Sequence, residues 1–199
     1  MARRYVALVL AASLLMVSSN VIAQECSIAA YADPAGTRSD LLESDLHFDG
    51  LSGYPMASIY VVMFVENTTN AAAYKVTFGG DWSDWFLQDR SQGSSGQGLF
   101  IDEDPATIGT NVALTECVLG FGGVPVLVEE YRFAVLELDA GVRSVDLSAN
   151  TNQDPELPVY VTCSSTKTQC EVGPRLNVLP YLGIPAGKSS FGQIKSLYN

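Results

Sequence analysis

Asp81-Trp82-Ser83-Asp84-Trp85-Phe86 sets two indoles beside two carboxylates. In that combination rings stack on sugars while acids bond hydroxyls, so Trp82 and Trp85 are the candidate ligand-binding residues. Aromatic rings are equally the largest contributors to a core. Trp85 and Phe86 open an expected strand, which turns at least one ring inward and leaves Trp82, in the loop before it, as the more exposed. Catalytic chemistry finds less support. His47 is the only histidine and lies in Asp45-Leu46-His47-Phe48-Asp49, where a carboxylate could orient it as a triad requires; the flanking acids make it a surface-loop residue instead. Gly93-Ser94-Ser95-Gly96-Gln97-Gly98 misses the G-x-S-x-G spacing of a nucleophile elbow and lacks the Gly-Lys-Ser/Thr ending of a P-loop, so it is expected to be a flexible surface loop. With 22 acidic residues, any one pair proposed for glycoside hydrolysis is uninformative without its separation. Asp102-Glu103-Asp104 and the stretch Asp40 to Asp49 offer oxygen ligands for calcium, yet neither has the alternating spacing of an EF-hand loop, and both otherwise read as solvated loops. No catalytic residue is assigned.

The chain begins as an exported one does. Arg3 and Arg4 precede an apolar run from Val6 to Val17, and Val21-Ile22-Ala23 suits a cleavage site. The run is shorter than the about 20 apolar residues of a spanning helix, so residues 1–23 are read as a signal peptide, with no membrane span left after its removal. The destination is secretion, to the cell exterior or surface or to the periplasm. The formal charge is −11, and removing the two leader arginines makes the chain more acidic still. Such a surface repels nucleic acid and anionic lipid. Cys26, Cys117, Cys163 and Cys170 are an even set in an exported chain, which favours disulfides over metal thiolates. Of three pairings, Cys163–Cys170 is favoured as a closed hairpin, worth about 2.5 kcal/mol for so short a loop. That leaves Cys26–Cys117.

These residues are held by strands. Tyr74, Val76 and Phe78 alternate with polar neighbours, as do Val145, Leu147 and Ala149, while Ile59 to Val65 is apolar on both faces. Further strands are expected near 26–32, 112–118, 124–128, 131–138, 158–163 and 175–179. Val124, Val126 and Val128 share one parity and Tyr131, Phe133 and Val135 the other, so a bulge or break is expected at Glu129-Glu130. Asp33, Pro34 and Gly36 fill positions i, i+1 and i+3 of a type I turn after the first strand. Eight or nine strands in one domain, residues 24–179, predict an all-β fold, an antiparallel β-sandwich.

Several motifs carry a resemblance. Tyr31-Ala32-Asp33-Pro34-Ala35-Gly36-Thr37, Ile59-Tyr60-Val61-Val62, Ala73 to Phe78, Trp85-Phe86, Val159 to Cys163 and the C-terminal Ser189 to Tyr198 are similar to segments of a group of uncharacterised secreted bacterial proteins. Those proteins open on "YAD-x-x-GT" and end on "TWG-x-[IV]K-x-LYR". The resemblance spans most of the mature chain and implies a cohesin- or immunoglobulin-like sandwich without an assigned activity. Arg38 stands where the group has a cysteine, and Phe191 where it has tryptophan.

Residues 180–199 read as a linker and a short tail, in which Phe191, Ile194 and Leu197 recur at i, i+3 and i+6 as candidate recognition residues. One or two amphipathic turns do not persist alone in water. The functional expectation is a non-enzymatic extracytoplasmic structural or interaction module that engages a protein partner or self-associates through open strand edges. The alternatives are a carbohydrate-binding module, with calcium as an optional support, and a carboxylate-based hydrolase. No other cofactor is expected.

Overall fold

The computed structural model describes residues 26–48, 50, 53–92, 98–104, 109–120, 124–137 and 141–178. The expected signal peptide, the Gly93 to Gln97 part of the glycine-rich stretch, and the tail residues Phe191, Ile194 and Leu197 lie outside the described residues. Among the described residues fourteen strands run in chain order: β1 Cys26–Tyr31, β2 Asp40–Leu41, β3 His47–Phe48, β4 Pro55–Val65, β5 Thr68–Gly79, β6 Trp85–Gln92, β7 Gly98–Asp104, β8 Gly109–Leu119, β9 Pro125–Val135, β10 Arg143–Ser148, β11 Val159–Thr162, β12 Lys167–Gln169, β13 Glu171–Val172 and β14 Leu176–Val178. A single 3-10 turn, Glu43–Asp45, is the one helical element among the described residues.

Two sheets face each other. The first has the order β13-β1-β4-β9-β6, with β3 also on β4; the second runs β12-β11-β5-β10-β14-β2, with β8 on β5 and β7 on β8. The protein is a β-sandwich, antiparallel except for two short parallel pairs, β1 with β13 and β14 with β2. Alternation sets the core. Ile28 and Ala30 of β1, Ala57 to Val65 at odd positions of β4, Ala72 and Tyr74 of β5, and Val145 and Leu147 of β10 fill the space between the sheets. β4 is the central strand its two apolar faces require, because its outward Val62 packs with Ala29 and Tyr31 in a second cluster flanked by Tyr60, Phe64 and Leu127.

The Asp33–Thr37 turn closes over that outer cluster. Gly36 N donates to Asp33 O at 3.2 Å, and the Asp33 carboxylate accepts from the Ala35 and Thr37 amides at 2.9 and 3.2 Å. Gly36 has φ +67°, and a Cβ there would stand 2.7 Å from Phe64 Cζ. Glycine is therefore required twice, once by the left-handed backbone and once by the ring beneath it. Gly36→Ala is expected to destabilise by about 2 kcal/mol, read as a lower urea midpoint at unchanged slope; an unchanged midpoint would show that the turn does not press on the sheet.

β9 is one strand rather than two, and its parity does switch. Val61 of β4 faces Glu129 while Val62 faces Leu127, so the extra residue is Val128, just before the expected place. Val126, Val128, Tyr131, Phe133 and Val135 all reach the core. The same slip turns Glu129 inward.

Candidate interaction edge and the polar cluster beneath it

Among the described residues β6 pairs with β9 alone, and its other edge has no strand partner. Trp85 and Gln92 at its two ends face the interior and are buried. Between them Phe86 and Leu87 are 55% and 49% exposed. Phe86 ends a row across the sheet's outer face with Ala134, Met56 and His47 as register partners. A bulge between Leu87 and Asp89 interrupts the strand, so only Trp85 to Leu87 presents a regular apolar edge.

Behind this edge, five strands contribute to one buried polar cluster. Glu129 of β9 is 0% exposed. It accepts hydrogen bonds from the Tyr74 hydroxyl of β5 and from Arg90 Nε of β6, and the Tyr131 hydroxyl bonds it too. Arg90 Nη2 donates to Thr110 Oγ1 of β8 at 2.8 Å. Its guanidinium lies 4.4 Å from the Phe100 ring centroid of β7 and 5.5 Å from that of Tyr131. Burial lifts the Glu129 carboxyl above the ordinary carboxylate range despite the opposing Arg90 and the hydroxyl donors. Burial also raises Tyr74 and Tyr131, with the Glu129 charge adding to both. A general acid must reach a substrate proton, and this carboxyl is closed off with its oxygens engaged. The cluster ties β6 to the sandwich rather than offering chemistry to a ligand. Sequence reading missed it, although the parity switch was its signal.

Trp82 and Trp85 are brought together, but as packing. Trp82 is half-buried, and its Nε1 donates to Gly79 O at 2.9 Å. Its ring stands edge-on to Phe78 and Trp85 at 5.1 and 5.2 Å and tilts on Phe133 at 5.4 Å. Trp82 is the more exposed indole, as expected, but no open two-ring platform forms, because the Gly79 carbonyl draws the loop indole onto the end of the sandwich.

His47 is exposed on β3. Asp45 is committed to Arg38 and to the Leu42 amide, at 2.7 Å for the latter, and not to the imidazole. Asp40 accepts from Asn177 Nδ2 at 3.2 Å. Asp102, Glu103 and Asp104 lie on β7, a strand and not the expected loop, because the β8 ladder extends it. Among the described residues no group of three or more His, Cys, Asp or Glu gathers to hold a metal ion. A hollow of about 320 Å³ on the outer face of the second sheet has a floor of Ala71, Ala73 and Ala113 between Asn111, Val161 and Lys167.

All four cysteines are bonded, in pairings other than those expected. Cys26 joins Cys170 with Cα atoms 4.7 Å apart, and Cys117 joins Cys163 at 5.9 Å. The β11–β12 hairpin does form, but its register pairs Val159 with Gln169 and Val161 with Lys167. Cys163 therefore falls in the turn, whereas Cys170 sits at the base, its amide bonded to Pro158 O. Cys117 reaches Cys163 through an excursion of β8: Val118 faces Thr69 and Ala113 faces Ala71, so four residues oppose Asn70 alone. Cys117 is exposed and Cys163 half-buried, while Cys26 and Cys170 are 2% and 1% exposed. Access controls thiol exchange, so a dithiol reductant under native conditions is expected to free Cys117 and Cys163 first, as alkylation and peptide mass spectrometry would record. Simultaneous release of all four would contradict this order.

No family model matches the chain, and no curated protein matches it. Solved structures similar to it include a non-cellulosomal cohesin from Archaeoglobus fulgidus, at 10% identity over 78% of this chain and 91% of that one, TM-score 0.48. The sixth cohesin of scaffoldin B from Acetivibrio cellulolyticus, solved with a dockerin, is 12% identical over 78% and 99%, also at 0.48. A cohesin module from a Clostridium perfringens family 33 glycoside hydrolase is 7% identical over 78% and 96%, at 0.47.

Proposed function

We propose that the protein is a non-enzymatic extracytoplasmic interaction module, of the secreted bacterial group whose motifs it resembles, and that it self-associates through β6. The observation that carries this reading is the exposure of Phe86 and Leu87 on a strand whose outer edge has no partner among the described residues. Open ladder groups flanked by apolar side chains form a template for another strand, with main-chain bonds giving affinity. Other features limit what is built there. The bulge after Leu87 shortens the regular edge. The opposite edge of the sheet, β13, has only two residues. Of the second sheet's edge strands among the described residues, β12 and β2 have only three and two residues, and β7 ends in three acids, which repel a second copy. One usable edge per copy closes into a two-fold pair rather than a growing fibre.

Sedimentation of the oxidised protein over a concentration series tests this. A reversible dimer is expected, and Phe86→Lys should weaken it about 30-fold, the effect of losing a central aromatic anchor. A wild type that stays monomeric throughout, or a Phe86→Lys variant that pairs as well as wild type, would reject the β6 interface.

A further inference from the structure

The hollow on the outer face of the second sheet is built by strand register. Leu99 of β7, Ala113 of β8, Ala71 of β5 and Val161 of β11 stand side by side in one row. The next row brings Asn111, Ala73 and Val159 together. Larger side chains at the flanks and alanines between them make a trough along β5, about 320 Å³ in volume. Leu99 is 60% exposed at one flank. Gln153 and Lys167 border the other, with the Lys167 ammonium donating to Gln153 O. Alanine is a weak strand former, yet three stand in succession here. Ala72 fills the core, whereas Ala71 and Ala73 point outward and leave room above the sheet. We propose that this trough is the docking site of the chain's own C-terminal segment, with Phe191, Ile194 and Leu197 laid along it.

Position and length allow the match. β14 runs parallel to β5, since each is antiparallel to β10, and Val178 faces Arg143, one residue beyond the Ser144–Gly79 pair. From Val178 the trough lies two strands over and about eight residues back along β5, about 28 Å in all. Residues 179–190 reach up to about 40 Å when extended. β14 points away from the trough, and Pro180, Gly183, Pro185 and Gly187 supply the residues with which a chain reverses. Charge favours the same site. Residues 179–199 contain Lys188 and Lys195 and no acid, in a chain whose formal charge is −11. Asp154 and Glu156 follow Gln153 at the rim, and Lys195 beside Ile194 supplies the opposite charge. Burial of the three apolar side chains holds together one or two turns that do not persist alone in water. A trough filled by its own chain is closed to others, which leaves β6 as the apolar edge offered to a partner.

Photocrosslinking of the mature full chain is the test, with Phe191 replaced by benzoylphenylalanine and Phe86→Lys added so that β6 pairing does not enter the result. After irradiation and digestion, mass spectrometry is expected to place the crosslinks within residues 71–73, 111–113 and 159–161. A mixture of isotopically light and heavy protein separates a chain's own tail from that of another copy. Crosslinks confined to other surfaces, crosslinks only between light and heavy chains, or no crosslink at all would each overturn the proposal. Trypsin gives a second readout. Ala113 is half-buried on the outer face, so Ala113→Trp fills the trough without entering the core. Cleavage after Lys195 should then be about tenfold faster than in wild type, as protection follows the undocked population, while cleavage after Lys188, in the linker, stays the same. Equal rates at Lys195 in the two proteins would also reject the docking. Both readouts are independent of whether β6 pairs with a second copy.

Discussion

Replacing Cys26 and Cys170 together by alanine is expected to lower unfolding stability by about 5 kcal/mol on the chain-entropy estimate for a loop of 144 residues. Replacing Cys117 and Cys163 removes a 46-residue loop and should cost about 4 kcal/mol by the same estimate. The difference should be widened by packing, because Cys26 and Cys170 are core residues while Cys117 is at the surface. A single domain has roughly 5–15 kcal/mol to lose, so the first variant should hold a measurable unfolded population without denaturant. Urea melts of the two double variants and wild type, all under oxidising conditions, give the comparison. A loss under about 2 kcal/mol for Cys26→Ala/Cys170→Ala, or a larger loss for the other pair, would mean that the long loop is already restrained in the unfolded chain.

The sandwich was legible because burial on one side of a strand writes itself as a two-residue period. Val145, Leu147 and Ala149 against Ser144, Asp146 and Ser148 were enough to place β10, and the doubly apolar β4 is central for the same reason. Features set by a neighbour were not legible. β7 is acidic at its end and reads as a loop; the β8 ladder makes it a strand. The cysteine pairing failed because hairpin register depends on where the turn falls. Thr162 N donates to Thr166 O at 2.9 Å, and that closure sends Cys163 and Cys170 to opposite ends. Trp82 looked like a surface platform because no sequence pattern reveals that the Gly79 carbonyl accepts its indole proton. Glu129 stands between these cases. Two runs of opposite parity met at it, and a strand that slips by one residue must turn a neighbour inward, so a buried carboxylate could have been deduced from the slip, but its partner Arg90, 39 residues away, could not.

Arg90 and Glu129 should show strong coupling in a double-mutant cycle. Arg90→Met leaves a carboxyl in the core with only hydroxyl donors, and Glu129→Gln leaves a guanidinium between Phe100 and Tyr131 without its counter-charge. Each should cost about 3 kcal/mol, the range for stranding one member of a buried pair. The double variant should cost about 2 kcal/mol less than the sum, since the second change removes the group the first one stranded. Additive losses would mean that the pair contributes only as separate packing elements. The acid dependence follows from the raised Glu129 carboxyl. The folded protein holds that proton more tightly than the unfolded chain, so the group penalises folding fully above its raised folded value. The penalty fades as pH falls toward the ordinary value of about 4.5. Asp45, Asp81 and Asp154 are lowered, so their contributions are lost only on further acidification through their depressed values. Wild type minus Glu129→Gln isolates the buried group, and that stability difference should grow in favour of wild type as pH falls through the Glu129 window. A difference that is flat or shrinks across it would place the carboxyl at or below its unfolded value, with Arg90 outweighing burial.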